Sequence, residues 1–149
     1  MKKLFLLSLM CFVELVMNAQ SFVDLGLPSG TKWKTQNQSG LYTYDDAKTM
    51  FGNRIPTKEQ WEELQIECSW EWTGSGYKVV GINGNSIVLP AEGYHECGES
   101  IEGVGYYGSY WSSSPYESQK NWSFGFMSDR MRMYYEKTCS EQSIRLVQN

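Results

Sequence analysis

The stretch Arg54-Ile55-Pro56-Thr57-Lys58-Glu59-Gln60-Trp61-Glu62-Glu63-Leu64 contains the helix signal around which we arrange the rest of the chain. Thr57 stands where an N-cap residue belongs, and Gln60, three residues later, completes a capping box. Pro56 keeps the preceding chain extended, because its ring disfavours helical geometry at Ile55. The pattern therefore predicts a short extended approach followed by a capped helix.

Two helices are predicted in the first half of the chain. In the capped helix, Trp61, Leu64 and Cys68 recur at helical spacing and give it one apolar face. Before it, Thr43 is positioned to cap a helix over residues 44–51, with two aspartates in the first turn, where the helix dipole favours acidic side chains. Gly52 suits the end of this first helix.

Strand patterns dominate the remainder of the chain. They are predicted at residues 22–26, 32–35, 70–72, 77–82, 86–89, 122–126, 131–134 and 143–147. Asn83-Gly84-Asn85 is typical of a hairpin turn, and Ser128-Asp129 predicts a second turn. Residues 92–105 are rich in Gly and Glu and lack periodicity, so a long loop is expected there.

Length and composition favour one globular domain. The 149 residues suffice for a single domain, and the aromatic content of 15% exceeds what a disordered chain carries. Helices early and hairpins late predict an α+β fold, with the strand-like ends of the chain pairing with each other. The net charge of -4 offers no basic patch, so nucleic acid is not expected as a partner.

The N-terminus resembles a secretory signal peptide over residues 1–19. Lys2 and Lys3 precede an apolar run at residues 4–16, and Ala19 lies before the expected cleavage site at Gln20. The apolar run is too short to span a bilayer comfortably. An N-terminal core strand or an anchor is the alternative. We expect the domain to occupy residues 20–149, without a membrane span, in the periplasm, at the cell surface or outside the cell.

The exported chain would carry Cys68, Cys97 and Cys139. Because three is an odd number, at least one thiol is unpaired or bonds between chains. Cys68 lies on the apolar helix face and is expected to be a buried free thiol. Cys97 and Cys139 lie in polar contexts and either pair with each other or remain separate surface thiols.

A family resemblance rests on five segments that occur in order. They are Val23-Asp24-Leu25-Gly26-Leu27-Pro28-Ser29-Gly30-Thr31-Lys32-Trp33, Arg54-Ile55-Pro56-Thr57 with Glu59 and Trp61, Gly84-Asn85-Ser86-Ile87 with Leu89-Pro90-Ala91, Tyr110-Trp111-Ser112-Ser113-Ser114, and Ser143-Ile144-Arg145-Leu146-Val147. Together they resemble the exported Fibrobacter succinogenes major paralogous domain group, which is similar to the formylglycine-generating enzymes. The resemblance implies a C-type-lectin-like fold, in which two helices flank a twisted antiparallel sheet with long loops and the terminal strands pair.

No catalytic residue, metal ligand set or cofactor is predicted. His95 is the single histidine, so a site built from several histidines is excluded. His95 and Cys97 could form a Cys/His couple, but a polar surface loop is the simpler interpretation. Four spaced acids could instead hold a hard cation or form a solvated loop: Glu92, Glu96, Glu99 and Glu102. No pair of facing carboxylates, as a glycosidase needs, can be singled out.

Two alternating strands near the C-terminus offer the clearest binding hypothesis. Phe124, Phe126, Met131 and Met133 share one parity and are assigned to the core. Trp70, Trp72 and Trp111 are assigned to the core as well. The opposite parity then presents Met127, Arg130 or Arg132, and Tyr134 outward. The candidate ligand-binding residues are Tyr116, Asp129, Arg130, Arg132, Tyr134 and Tyr135, a mixture dominated by the Tyr and Arg side chains that are enriched in interface hot spots.

These observations predict a secreted or surface-exposed, non-enzymatic binding module on the bacterial surface that recognises a protein or glycan ligand. Two alternatives remain open. One is a structural or adhesion subunit that assembles through a sheet edge or through its odd cysteine. The other is a divergent enzyme of the formylglycine-generating type, against which the absence of a close cysteine pair argues.

Overall fold

Helices and strands occupy most of the computed structural model, which describes residues 22–149; the predicted signal peptide at 1–19 lies outside the described residues. The helices are α1 (Tyr44–Phe51) and α2 (Lys58–Glu67), with a 3-10 turn at Gly52–Arg54. The strands are β1 (Phe22–Asp24), β2 (Lys32–Lys34), β3 (Ser69–Trp72), β4 (Gly76–Val80), β5 (Ser86–Pro90), β6 (Glu92–His95), β7 (Ile101–Val104), β8 (Gly108–Glu117), β9 (Lys120–Met127), β10 (Arg130–Lys137) and β11 (Val147–Gln148). The predicted α+β class is confirmed.

Both helices begin where their caps predict. The Thr43 hydroxyl accepts a hydrogen bond from the backbone N–H of Asp46 at the start of α1. At α2 the Thr57 hydroxyl accepts from the N–H of Gln60 at 3.1 Å, and the Gln60 side chain accepts from the N–H of Thr57 at 2.9 Å. The reciprocal pair satisfies two of the N–H groups that a helix start leaves without partners. The capping box is therefore confirmed.

The strands form three sheets. The order of the first is β1-β2-β11, of the second β10-β9-β8-β6-β7, and of the third β3-β4-β5. Neighbouring strands are antiparallel except β6 and β8, which meet in parallel at Gly93 and Gly108. The predicted turns at residues 83–85 and 128–129 join β4 to β5 and β9 to β10.

The two ends of the range 22–149 share a sheet, but the first and last strands of this range do not pair. β11 pairs with β2, placing Val147 opposite Trp33, whereas β1 lies on the other side of β2. The last strand is also shorter than predicted. The backbone of residues 143–146 forms hydrogen bonds with two different segments. Ser143 bonds to β8, whereas the carbonyls of Ile144 and Leu146 accept from the N–H groups of Gln38 and Lys34.

Residues 92–105 form a hairpin rather than the predicted loop. β6 and β7 pair with Glu92 opposite Val104 and Tyr94 opposite Glu102. Gly93 and Gly103 have φ angles of +72° and +79°, in the left-handed region that favours glycine. A side chain at Gly93 would clash with the Glu102 carbonyl group. The glycines that interrupt the alternating pattern are thus the residues that allow the two strands to approach.

The core lies on both faces of β8. Tyr110 belongs to the main core, whereas its neighbour Trp111 belongs to a second cluster, as expected for consecutive strand residues. In the main core Trp61 of α2 stacks on Phe124, with ring centroids 4.9 Å apart. The second cluster consists of Ala47, Phe51, Ile55, Trp111, Ile144 and Leu146. Trp70 and Trp72 pack against the main core, so the core assignment of these tryptophans and of Trp111 is confirmed.

Candidate functional site

The hairpin of β9 and β10 has the predicted inward parity. Phe124 and Phe126 are buried, and Met131 and Met133 are half-buried and pack against the main core. The predicted assignment of these four residues to the core is therefore confirmed. The residues that the sequence predicted to point outward do not all lie on one face.

The candidate binding residues lie on two faces rather than one. Tyr135 shares the parity of Met131 and Met133 and lies opposite Trp122. It stacks on Tyr116, with centroids 4.2 Å apart and an interplanar angle of 6°. Since alternate side chains of a strand point to opposite faces, Tyr116 and Tyr135 are separated from Arg130, Arg132 and Tyr134. The single exposed face that the sequence predicted is corrected accordingly.

Tyr134 is half-buried and does not point outward. Its hydroxyl lies 2.5 Å from the Ser109 hydroxyl, and its ring lies against Gly125, where a side chain would collide with it. Burial raises the pKa of the Tyr134 phenol well above its ordinary value. The absence of a side chain at Gly125 thus creates room for the Tyr134 ring on this face, and its contact with Ser109 gives it a structural role.

Around Tyr134 lies a depression of about 100 Å³ that Tyr107, Arg130 and Arg132 help to line. Arg132 is exposed and makes no hydrogen bond or ion pair with any residue in the range 22–149. Asp129 lies at the hairpin tip, with its carboxylate 4.0 Å from the Arg130 guanidinium. This depression has room for a single side chain, not for an extended ligand.

Tyr116 and Tyr135 form an aromatic group with Trp122 at the other end of the hairpin. Lys58 places its ammonium 4.8 Å from the centre of the Trp122 ring, and Lys120 lies 5.1 Å from that of Tyr135. Tyr116 meets Trp122 edge-on, with centroids 5.0 Å apart. Tyr135 thus contacts both Tyr116 and Lys120, while 47% of its surface remains exposed.

A larger cleft lies in a region that sequence reasoning did not select. Its volume is about 710 Å³, and it opens between residues 35–40, strand β5 and the segment before β11. Its lining residues are Thr35, Gln36, Asn37, Gln38, Ser39, Gly40, Ser86, Ile87, Val88, Pro90, Glu92 and Arg145. Amide and hydroxyl side chains dominate this lining.

Arg145 holds the walls of the cleft together. Its side chain is 1% exposed. The guanidinium donates to the Asn37 side-chain oxygen and the Lys34 carbonyl, both at 2.8 Å, and to the Val88 carbonyl. Burial lowers its pKa to about 10, because none of these three acceptors carries a charge. One side chain therefore links β2, residues 35–40 and β5.

The network continues from Arg145 into the main core. The Asn37 amide donates to the Tyr110 hydroxyl at 2.9 Å, which in turn donates to the Pro90 carbonyl at 2.6 Å. Glu92 is the single carboxylate in the lining, and it accepts a hydrogen bond from the Ser143 hydroxyl at 3.1 Å. The cleft therefore has a rigid floor, with one acid at its edge.

The sequence contains one signal for this cleft. Arg145 stands between Ile144 and Leu146 in the segment predicted to be the last strand. A charged residue among buried neighbours is rarely buried without polar partners, and Asn37 in the polar stretch 35–40 is one of them. No local pattern relates the two residues, because they are far apart in sequence.

The described cysteines and the histidine have defined partners or surroundings. Cys97 and Cys139 are joined in a disulfide, so the pairing that the sequence left open is present. Among residues 22–149 Cys68 is the free cysteine; it is half-buried rather than buried as predicted, and burial raises the pKa of its thiol to about 11. The Nδ1 atom of His95 lies within hydrogen-bond distance of the Glu99 carbonyl oxygen, at 2.9 Å. Within residues 22–149, no group of three His, Cys, Asp or Glu residues is arranged to hold a metal ion.

Comparison with known protein families matches more than half of the chain. A family model described as a domain of unknown function (DUF8237) matches residues 66–147, just over half of the chain and almost all of the strands that follow α2. No curated protein and no solved structure matches the chain. In the part of the chain described here, neither α-helix has the length and apolar character needed to cross a membrane.

Proposed function

The chain belongs to the family described as a domain of unknown function (DUF8237), and we propose that it is a secreted or surface-exposed, non-enzymatic binding module. The ligand is a protein or a glycan, and the cleft beside Arg145 favours a glycan. The observation that carries the proposal is the amide-rich lining of this cleft, with Arg145 as its rigid floor.

The lining matches a hydroxyl-rich ligand. Each sugar hydroxyl both donates and accepts a hydrogen bond, and the side chains of Gln36, Gln38 and Ser39 do the same. Val88 and Pro90 add apolar surface for the C–H faces of a sugar ring. The volume of about 710 Å³ lies within the range of small-ligand sites.

The chemistry of the cleft supports binding rather than catalysis. Glycoside hydrolysis requires two facing carboxylates, and the lining contributes Glu92 alone. Oxidation of the formylglycine-generating type requires cysteines placed close together. Here Cys97 and Cys139 are tied in a disulfide, and the raised pKa of Cys68 keeps its thiol protonated at neutral pH.

The finer fold and the compartment are part of the same proposal. A C-type-lectin-like arrangement is supported by α2, which begins at Lys58 within the motif of residues 54–61, and by the sheet that β1, β2 and β11 share. Export is supported by the signal-like residues 1–19 and by the disulfide, since such bonds persist in oxidising compartments.

The arginines of the β9–β10 hairpin are a second candidate contact surface. Arg130 and Arg132 are exposed, and Asp129 lies beside them at the tip. Their surroundings suit a protein partner better than a glycan, because the adjoining depression admits one side chain. These residues belong to the ligand-binding set that the sequence predicted, with a protein as the ligand.

A glycan array probed with the purified chain tests the proposal, followed by titration of the best-bound glycan. Gln36→Ala is expected to weaken binding about tenfold without changing the melting temperature, because Gln36 lines the cleft, is exposed and makes no hydrogen bond within residues 22–149. Asn53→Ala removes an exposed amide outside the cleft and serves as the matched control. Equal affinities for the two variants would contradict the cleft as the binding site.

A further inference from the structure

Strand β10 leaves one long edge of the five-stranded sheet open. It has eight residues and pairs with β9 alone. The Thr138 N–H bonds to Gln119, so the even-numbered residues of this segment turn their backbone groups toward β9. The Met131 carbonyl instead accepts from the Gln65 side chain of α2, which shows that odd-numbered residues turn theirs outward.

The outward edge is poorly protected. Apart from the Gln65 contact at 3.3 Å, the backbone groups of Met131, Met133 and Tyr135 have no partner on this side among the described residues. An exposed strand of this length is a ready template for pairing with another strand. The charged side chains at its two ends determine which strand fits.

We propose that two copies of the chain pair through β10, antiparallel, with Met133 opposite Met133 of the second copy. In this register the residue pairs are Asp129 with Lys137, Arg130 with Glu136, Met131 with Tyr135, and Arg132 with Tyr134. The two-fold axis repeats each of these pairs, so four opposite-charge pairs cross the interface. The two sheets become one continuous ten-stranded sheet.

The register agrees with the backbone geometry. Directly opposed residues alternate between pairs that exchange hydrogen bonds and pairs that do not. In the centre of the pairing, those that must exchange them are Met131 with Tyr135 and Met133 with itself, and these are odd-numbered residues whose backbone groups point outward; at its ends the Lys137 backbone is already bonded to Ser140 and Glu136. The Met131 carbonyl can keep its bond to Gln65, because a carbonyl oxygen has two lone pairs.

Side-chain chemistry selects this register over its neighbours. Centring the pair on Arg132 would place two arginines directly opposite each other, which is destabilising. Centring it on Tyr134 keeps one type of opposite-charge pair, Arg132 with Glu136, but separates Asp129 from Lys137. In the proposed register Arg132 faces the uncharged Tyr134 of the second copy, so no like charges oppose each other at this position.

The charges lie where the pairing needs them. Arg130 and Lys137 are exposed at opposite ends of β10. The Glu136 carboxylate accepts from the outward N–H of Lys137 at 2.9 Å, which places it at the open edge. The proposal is independent of the glycan cleft, because the cleft is lined by residues 35–40, 86–92 and 145 and contains no residue of β10.

Sedimentation equilibrium over a concentration series tests the pairing by charge reversal. All proteins carry Cys68→Ser, so that no intermolecular disulfide contributes. The parent is expected to dimerise reversibly. Arg130→Glu and Glu136→Arg each replace two attractive pairs by two repulsive pairs, and each is expected to raise the dimer dissociation constant about tenfold or more.

An equimolar mixture of the two variants is the decisive sample. In the mixed dimer the introduced glutamate of one copy faces the introduced arginine of the other, and the unchanged Glu136 of the first copy faces the unchanged Arg130 of the second. Both pairs are attractive, so dimers are expected to return. Lys78→Glu and Glu71→Arg make the same charge changes on exposed strand residues outside β10 and are expected to dimerise like the parent. A monomeric parent, unaffected single variants, or a mixture that stays monomeric would each overturn the proposal.

Discussion

Arg145 is the residue on which both the cleft and the fold depend. Its planar guanidinium reaches three acceptors on three different segments, and each acceptor is a neutral oxygen. The guanidinium is therefore held by neutral oxygens, and the Glu92 carboxylate favours its charged form without a direct ion pair. Only a side chain with several donors in a fixed fork can make all three bonds together.

We predict that Arg145→Lys lowers the free energy of unfolding by about 3 kcal/mol, because a compact ammonium leaves buried acceptors at Asn37, Lys34 or Val88 without donors. Urea denaturation followed by tryptophan fluorescence measures the change. Arg54→Lys makes the same exchange on an exposed side chain and is expected to change stability by less than about 0.5 kcal/mol. Similar values for the two variants would show that the three-way link contributes little.

At the scale of single residues, the sequence predicts burial better than it predicts contacts. The parity of Phe124, Phe126, Met131 and Met133 follows directly from the two-residue period of a strand. Tyr134 differs because its place depends on Gly125 in the neighbouring strand and on the Ser109 hydroxyl in the next one. Which residues of the neighbouring strands lie beside a side chain depends on strand register, and the local sequence pattern does not predict register.

At the scale of elements, α2 shows how local chemistry and tertiary contacts reinforce each other. Besides the capping box, the Lys58 N–H donates to the Ser114 hydroxyl of β8 at 2.9 Å. The helix start is thus tied to the central sheet. Trp61 anchors the helix in the core. Its indole N–H donates a hydrogen bond to the Trp111 carbonyl at 3.3 Å.

We predict that Thr57→Ala destabilises the protein by about 1 kcal/mol, because it leaves the N–H of Gln60 without its acceptor. Gln60→Ala removes the reciprocal bond to the Thr57 N–H. The two effects should be less than additive, since both act on one capping box. Thermal and urea unfolding of the two single variants and the double variant measure this coupling. Additive losses would mean that the two bonds act independently.

The hairpin of β6 and β7 shows where prediction from local pattern ends. Its glycines break the alternation that signals a strand, yet their backbone conformation is what allows the ladder to form. In contrast, the turns at residues 83–85 and 128–129 were predictable, because they are short and their residue types favour tight turns. A hairpin whose strands approach closely through glycines has neither strand alternation nor a short turn motif by which its sequence could be recognised.

At the scale of the whole molecule, long-range links tie the late strands to the rest of the chain. The disulfide joins Cys97, between β6 and β7, to Cys139, which follows β10, across 42 residues. The pairing of β2 with β11 joins the N-terminal hairpin to the C-terminus. The sequence predicted that the two ends meet, but which strands pair depends on how residues 143–146 divide their bonds between β8 and residues 34–38.

Buried acidic groups distributed over the molecule make its stability depend on alkaline pH. Burial raises the pKa of Cys68 from 9.0 to about 11. It also raises the pKa of Tyr110 and that of Tyr134 above 10.0. In each case the folded state retains a proton that the unfolded chain releases, so stability is fully present below the unfolded pKa and falls as pH rises above it.

We predict that the free energy of unfolding is flat below about pH 9 with respect to these groups, and declines above it by up to about 1.4 kcal/mol per pH unit for each titrating group. Between pH 9.0 and 10.0 Cys68 is the largest single contributor, so Cys68→Ala should reduce the decline there while leaving the steeper loss above pH 10.0. Tyr134→Phe should act mainly on that steeper loss. Urea denaturation at half-unit pH steps separates the two ranges. An unchanged slope between pH 9.0 and 10.0 in Cys68→Ala would show that the Cys68 thiol is not held protonated by the fold.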